Sequence, residues 1–152
     1  MKTSSESAVQ QPLGRILSQL GRNYLRQLNT ELSYLDIDRN YYALLLINEG
    51  KGNITQNELA AKLESDKVSM VRIIDYLTEK GYVNRIRSSS DKRKYCLTLT
   101  PKGIQAIPGI KEAIQKATTV ALCGMEASQI AFFMQSLDII KSNLKKANNT
   151  AL

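Results

Sequence analysis

From Leu13 onward the apolar positions Ile16, Leu17, Leu20, Tyr24, Leu28, Leu32 and Leu35 recur at helical spacing, with Arg15, Arg22, Arg26 and Glu31 mostly off that stripe. The pattern predicts one long amphipathic helix. Asp38 is a candidate N-cap for a second helix, apolar nearly all round from Tyr41 to Ile47 and stopping at Gly50, and such a helix should be buried. After a polar turn at residues 51–53, Thr55 and Glu58 stand three apart as a capping box for a short helix through Leu59, Ala60 and Leu63. Ser65 or Asp66 then caps another helix over residues 66–80, whose Val68, Val71, Ile74 and Leu77 are assigned to the core and whose end is Gly81.

The pattern then changes period. Residues 82–87 and 95–100 are rich in strand formers and flank the polar tip Ser88-Ser89-Ser90-Asp91-Lys92-Arg93, which predicts a two-stranded hairpin. Thr100 and Pro101 supply an N-cap and a first-turn proline for a fifth helix toward Val120, with a kink expected at Pro108. Ile130, Phe133, Met134, Leu137, Ile140 and Leu144 mark a last helix. Lys141, Lys145 and Lys146 fall near its end, where they suit the helix dipole, and a frayed tail is expected from about Ala147. The fold class is therefore mainly α with a small β-hairpin, about six helices in all. A helix-turn-helix and its hairpin occupy 38–100 between helical segments at 13–37 and 101–147, with an arm at 1–12 and a tail at 148–152.

Composition narrows the function. The 152 residues carry a formal charge of +7, a balance that favours a polyanionic partner. Histidine is absent, which removes the commonest general base and the commonest transition-metal ligand. No phosphate-cradling glycine loop, paired carboxylates or metal-ligand spacing is evident, so no catalytic residue, cofactor or metal is expected. No apolar run is long enough to span a membrane, and the serine-rich arm from Met1 to Pro12 lacks a secretory core, so a cytoplasmic protein is expected. Cys96 and Cys123 are too few for a disulfide framework and lack the close spacing of a thiolate metal site.

A helix, a tight turn, a second helix and a hairpin with a basic tip make a winged helix-turn-helix. One helix of this unit fits the major groove of duplex DNA, while the hairpin can carry a side chain into the adjacent narrower groove. With the core positions assigned as above, Asp66, Lys67, Ser69, Met70 and Arg72 are the candidate contacts at the start of the reading helix. Arg72 leads, because a guanidinium can bond two acceptors of guanine at once. On the hairpin the candidates are Arg85, Arg87, Asp91, Lys92, Arg93 and Lys94. Opposing strands would hold these like charges together, and a phosphate backbone would relieve the repulsion.

The stretch from Thr55 to Gly103 resembles the MarR family of bacterial transcription regulators. It carries a D-x-R element at the hairpin tip, Asp91-Lys92-Arg93, followed by LT-x-x-G at Leu99 to Gly103. The resemblance implies that Arg93 enters the minor groove while Asp91 braces it or a neighbouring basic side chain. It also implies that the first and last two helices interlock with a second copy. The sequence supports pairing independently, since the terminal apolar stripes exceed what one small module can cover. Double-stranded DNA and a second copy are thus the expected partners, with a near-palindromic site and a repressor role.

Many members of that family are released by small, often phenolic, ligands. Tyr24, Tyr34, Tyr41 and Tyr42 are placed to line such a cavity, although their spacing suits ordinary core equally well. The redox-sensing members carry a cysteine in the first helix, which this chain lacks. Cys96 and Cys123 are read as packing residues, with Cys123, near Lys116, the better redox candidate. The competing class is a winged-helix module that meets an acidic protein surface without specific DNA binding.

Overall fold

The computed structural model describes residues 11–150, so the expected arm lies outside it except for Gln11 and Pro12, which are exposed and irregular. Nine elements follow in order: α1 (Leu13–Glu31), α2 (Tyr41–Gly50), β1 (Ile54–Thr55), α3 (Gln56–Lys62), α4 (Lys67–Glu79), β2 (Val83–Arg87), β3 (Tyr95–Leu99), α5 (Pro101–Ala121) and α6 (Ala127–Thr150). The chain forms two compact units that divide between Ala117 and Thr118.

In the first unit α1 ends four residues before its apolar stripe does. Leu32 donates to the Leu28 carbonyl at 3.0 Å and Leu35 to Leu32 at 2.9 Å, so the chain tightens into turns. Those turns let Leu32 and Ile37 both enter the core, although neither lies in a helix. Asp38 does not cap α2. It stands in the left-handed region at φ +50° within a turn closed by Asn40 donating to the Ile37 carbonyl, and Asn40 is the residue that precedes the helix. α2 itself is buried along Ala43, Leu44, Leu46 and Ile47, while Tyr42 faces out.

Gly50 closes α2 from inside, because a Cβ there would lie 2.7 Å from the Ile54 Cβ. Lys51 then takes the left-handed turn at φ +47°. This turn delivers a strand that hydrophobic patterning does not show: β1, only two residues long, pairs antiparallel with β3, Ile54 opposite Leu97 and Thr55 opposite Cys96. The expected hairpin is therefore part of a three-stranded sheet in the order β1-β3-β2.

The Thr55 and Glu58 capping box is present, with the Thr55 N–H donating to Glu58 Oε2 at 2.7 Å and the Glu58 N–H to Thr55 Oγ1 at 3.2 Å. At the next helix Asp66, not Ser65, is the cap. It accepts the Ser69 N–H at 2.8 Å and the Ser69 hydroxyl at 2.6 Å. Thr100 opens α5 as expected, accepting the Gly103 N–H at 3.1 Å while donating to the Gly81 carbonyl at 2.6 Å. A Cβ on Gly103 would collide with the Tyr82 carbonyl, so glycine is required where α5 crosses the start of the sheet. α5 is one helix with Pro108 inside it. One core unites Leu28, Leu44, Ile47, Leu59, Ile74, Leu77, Leu97 and Ile110.

In the second unit α6 continues through Thr150 instead of fraying near Ala147, so Lys141, Lys145 and Lys146 sit short of its last turn, which holds no basic residue. No α6 side chain among the described residues is buried. Cys123, expected to pack, is exposed, whereas Cys96 is buried on β3 as expected.

Candidate nucleic-acid interface

The outward face of α4 is not the one that the apolar spacing suggests. Met70, Ile74 and Leu77 are completely buried, while Val68 is 62% and Val71 42% exposed. A constant step of three residues loses about 60° per step on a helix of 3.6 residues per turn, so positions 68 and 77 stand on opposite sides. Steps of four and three hold 70, 74 and 77 on one side. Met70 is therefore core and cannot touch a partner. The exposed face carries Lys67, Val68, Val71, Arg72, Asp75 and Glu79.

Asp66 and Ser69 are occupied with each other at the start of α4. The Ser69 hydroxyl, and then its N–H, hold the Asp66 carboxyl below the ordinary aspartate range. Their role visible here is to cap the helix that Lys67 and Arg72 stand on.

The hairpin candidates separate into two groups. Arg85 is engaged: its guanidinium pairs with Asp75 on α4 at 2.6 Å and donates to Gln56 on α3 at 3.4 Å. One side chain thus ties β2 to both helices of the helix-turn-helix. Arg87 lies opposite Tyr95 in the ladder, its guanidinium 5.8 Å from the ring centroid. Arg85 faces Leu97. Within the strands, therefore, neither arginine stands directly opposite another cation.

At the tip, Asp91 organises the turn. Its Oδ1 accepts the Arg93 N–H at 3.0 Å, its Oδ2 lies 3.9 Å from Lys94 Nζ, and its N–H donates to Ser88 Oγ at 3.3 Å. Lys94 donates to the Asp91 carbonyl and Ser88 to the Lys94 carbonyl, each at 2.9 Å, which closes the loop. Asp91 therefore braces the Arg93 backbone and its neighbour Lys94. The side chains of Lys92 and Arg93 project exposed from that fixed turn, and no acid among the described residues pairs with either.

At the far end of α4, Lys80 pairs with Asp36 at 2.8 Å and the Tyr76 hydroxyl donates to the same carboxylate at 3.0 Å. Lys80 first, and Tyr76 second, hold the Asp36 carboxyl below its ordinary range. The turn after α1 is thereby fastened to the end of α4. Sequence patterning has no access to this contact, nor to Gln56 and Asp75 as partners of Arg85, because the residues are far apart in the chain.

The four tyrosines are differently placed, Tyr34 and Tyr42 exposed and Tyr24 and Tyr41 partly buried against the core. Tyr41 is half-buried, and burial first, then Tyr24 and Tyr42, push its hydroxyl pKa up. Tyr34 lies instead against Gly109 of α5. A cavity of about 570 Å³ is lined by Arg22, Leu25, Arg26, Asn29, Thr30, Ser33 and Arg39, with no tyrosine among them. Among the described residues no cluster of acidic or cysteine side chains could hold a metal. No described helix is long and apolar enough to cross a membrane.

Residues 37–94 match the model of the MarR family. The chain is 36% identical over 92 residues to the multiple antibiotic resistance protein MarR of Salmonella typhimurium, covering 60% of this chain and 64% of that protein. It is 35% identical over 75 residues to a candidate transcriptional regulatory protein for the hcr operon of Thauera aromatica, covering 49% of this chain and 45% of that protein. The matched stretches thus span about half to two thirds of these relatives. A mutant MarR from E. coli, solved in complex with operator DNA, is similar with a TM-score of 0.77 at 28% identity, covering 85% of this chain and 93% of that one.

Proposed function

We propose that the chain is a transcription regulator of the MarR family rather than an enzyme, a reading supported by the family match over residues 37–94 and by its likeness to MarR. In this reading it binds a near-palindromic duplex site as a homodimer and represses by occupying a promoter. The observation that carries the proposal is the Arg85 tie. It fixes the wing to α4 while leaving Lys67 and Arg72 on the helix, and Lys92 and Arg93 on the wing, exposed to a partner. Basic groups on a helix and on an adjacent hairpin are what a duplex, with its grooves and phosphates, can engage together.

Pairing is supported by what a single copy leaves uncovered: Leu13, Ile16 and Leu20 on α1, and Phe132, Phe133, Met134, Ile139 and Leu144 on α6. Release by a small ligand, the remaining part of the reading, is assigned to the cavity beside α1 rather than to the tyrosines. Its size suits a small molecule. The chain runs from there to Asp36, whose carboxylate holds the end of α4.

The test is fluorescence anisotropy with duplexes taken from upstream of the protein's own gene, at two salt concentrations, for the wild type and Arg93→Ala. Binding that weakens with salt and drops for the variant is expected. Failure to bind any duplex at low salt would favour the protein-interaction module.

A further inference from the structure

The outward face of α4 presents a feature that charge alone does not explain. Val68 stands at its centre, diametrically opposite buried Leu77, with Val71 and Arg72 in the following turn and Lys67 beside it. Two β-branched apolar side chains are thus displayed where a groove-binding helix carries its reading residues. Neither belongs to the hydrophobic core. Farther along the same face the charge turns acidic at Asp75, which Arg85 neutralises, and at Glu79. A polyanion is therefore met favourably only by the first turns, where the valines and cations lie together.

Resting on the DNA-binding reading, we propose that Val68 and Val71 are specificity-determining residues that recognise thymine 5-methyl groups in the major groove, beside a polar contact made by Arg72. The thymine methyl is the apolar feature of the major-groove edge of a base pair, and an apolar side chain is its natural partner. Three residues of helix advance about 4.5 Å, against about 3.4 Å per base step. The two isopropyl groups therefore meet neighbouring base pairs. The half-site so defined contains adjacent thymines, on either strand, next to the pair that Arg72 contacts.

The experiment starts by selecting duplexes from a random pool with the full-length wild-type protein, then replacing individual thymines of the selected site by deoxyuridine, which keeps pairing and removes only the methyl. Each methyl contacted should be worth about fourfold in affinity. That ratio should collapse toward one in Val68→Ala or Val71→Ala at the matching position, while the salt dependence, set by phosphate contacts, stays unchanged. Both valines are exposed, so the variants should melt like the wild type. Selected sites whose thymine and deoxyuridine forms bind the wild type equally would overturn the proposal while leaving the DNA-binding reading intact. Alanine variants that keep the full methyl preference would overturn it in the same way. Failure to enrich any sequence would overturn the DNA-binding reading, and this proposal with it.

Discussion

The segment from α2 to β3 and the helix α6 solve the problem of apolar surface in opposite ways. Within the first, Leu44, Ile47, Leu59, Ile74, Leu77 and Leu97 are buried in a shared core, and the starts of α3 and α4 that the sequence marks are capped by Thr55 and Asp66. α6 is as apolar in places, yet Phe132 is 72% and Met134 53% exposed, and none of its described side chains is buried. The difference separates a region that, with Leu28 of α1 and Ile110 of α5, completes its packing within one chain from one whose apolar side chains are left exposed. On the proposed function, the DNA-reading head is built from one chain, and the exposed helices are where a second copy would pair.

The largest test of that contrast is a cavity in the head. Leu77→Ala should lower stability by about 2–5 kcal/mol in urea denaturation. Met134→Ala on α6 should leave a smaller stability change and instead raise the concentration at which copies dissociate. Equal effects of the two variants on unfolding would break the contrast. Removing α6 altogether, by ending the chain before Ala127, should give a monomeric or poorly soluble protein by light scattering. A stable, DNA-binding dimer after that cut would show that pairing lies elsewhere.

Smaller effects sharpen the picture of the head. Thr55→Ala removes the α3 capping box and should cost about 1 kcal/mol in the same denaturation assay. The Thr55 N–H first, and its hydroxyl second, hold the Glu58 carboxyl below the ordinary glutamate range. A depressed carboxylate pKa contributes stability that is present above the unfolded-state value and is lost as pH falls through the folded one. The same sign holds for Asp36 and Asp66. Acid titration of stability should therefore begin near the normal carboxylate range and continue below it, and Thr55→Ala should flatten part of that slope. The smallest effect is expected from Asp91→Ala, which frees the wing turn. It should leave the melting temperature nearly unchanged while weakening DNA binding several-fold, because Arg93 is then no longer fixed.

What is legible in the sequence is mostly local. Thr55 with Glu58, Asp66, and Thr100 with Pro101 announce helix starts through contacts made three residues away, and each is found where expected. The hairpin and its basic tip are equally plain. β1 is not, because two residues show no alternation and its pairing with β3 is a tertiary choice. Leu32 and Leu35 continue the phase of α1, yet the chain turns there with no glycine or proline to signal it. At the candidate site, Arg93 and Arg72 are exposed as the motif suggests, but Met70 and the valines exchange places, because four apolar residues evenly spaced by three do not share one face of a helix. Arg85, a cation like its neighbours in sequence, becomes a structural tie only through Asp75 and Gln56.

The most direct test of the central claim, a self-sufficient head joined to a helix that needs a partner, is sedimentation equilibrium of the full chain alone and on a duplex that it selects. The account predicts a dimer in the absence of DNA and two chains on each duplex, one per half-site. A monomer that stays soluble, and that binds duplex one chain at a time with undiminished affinity, would contradict it.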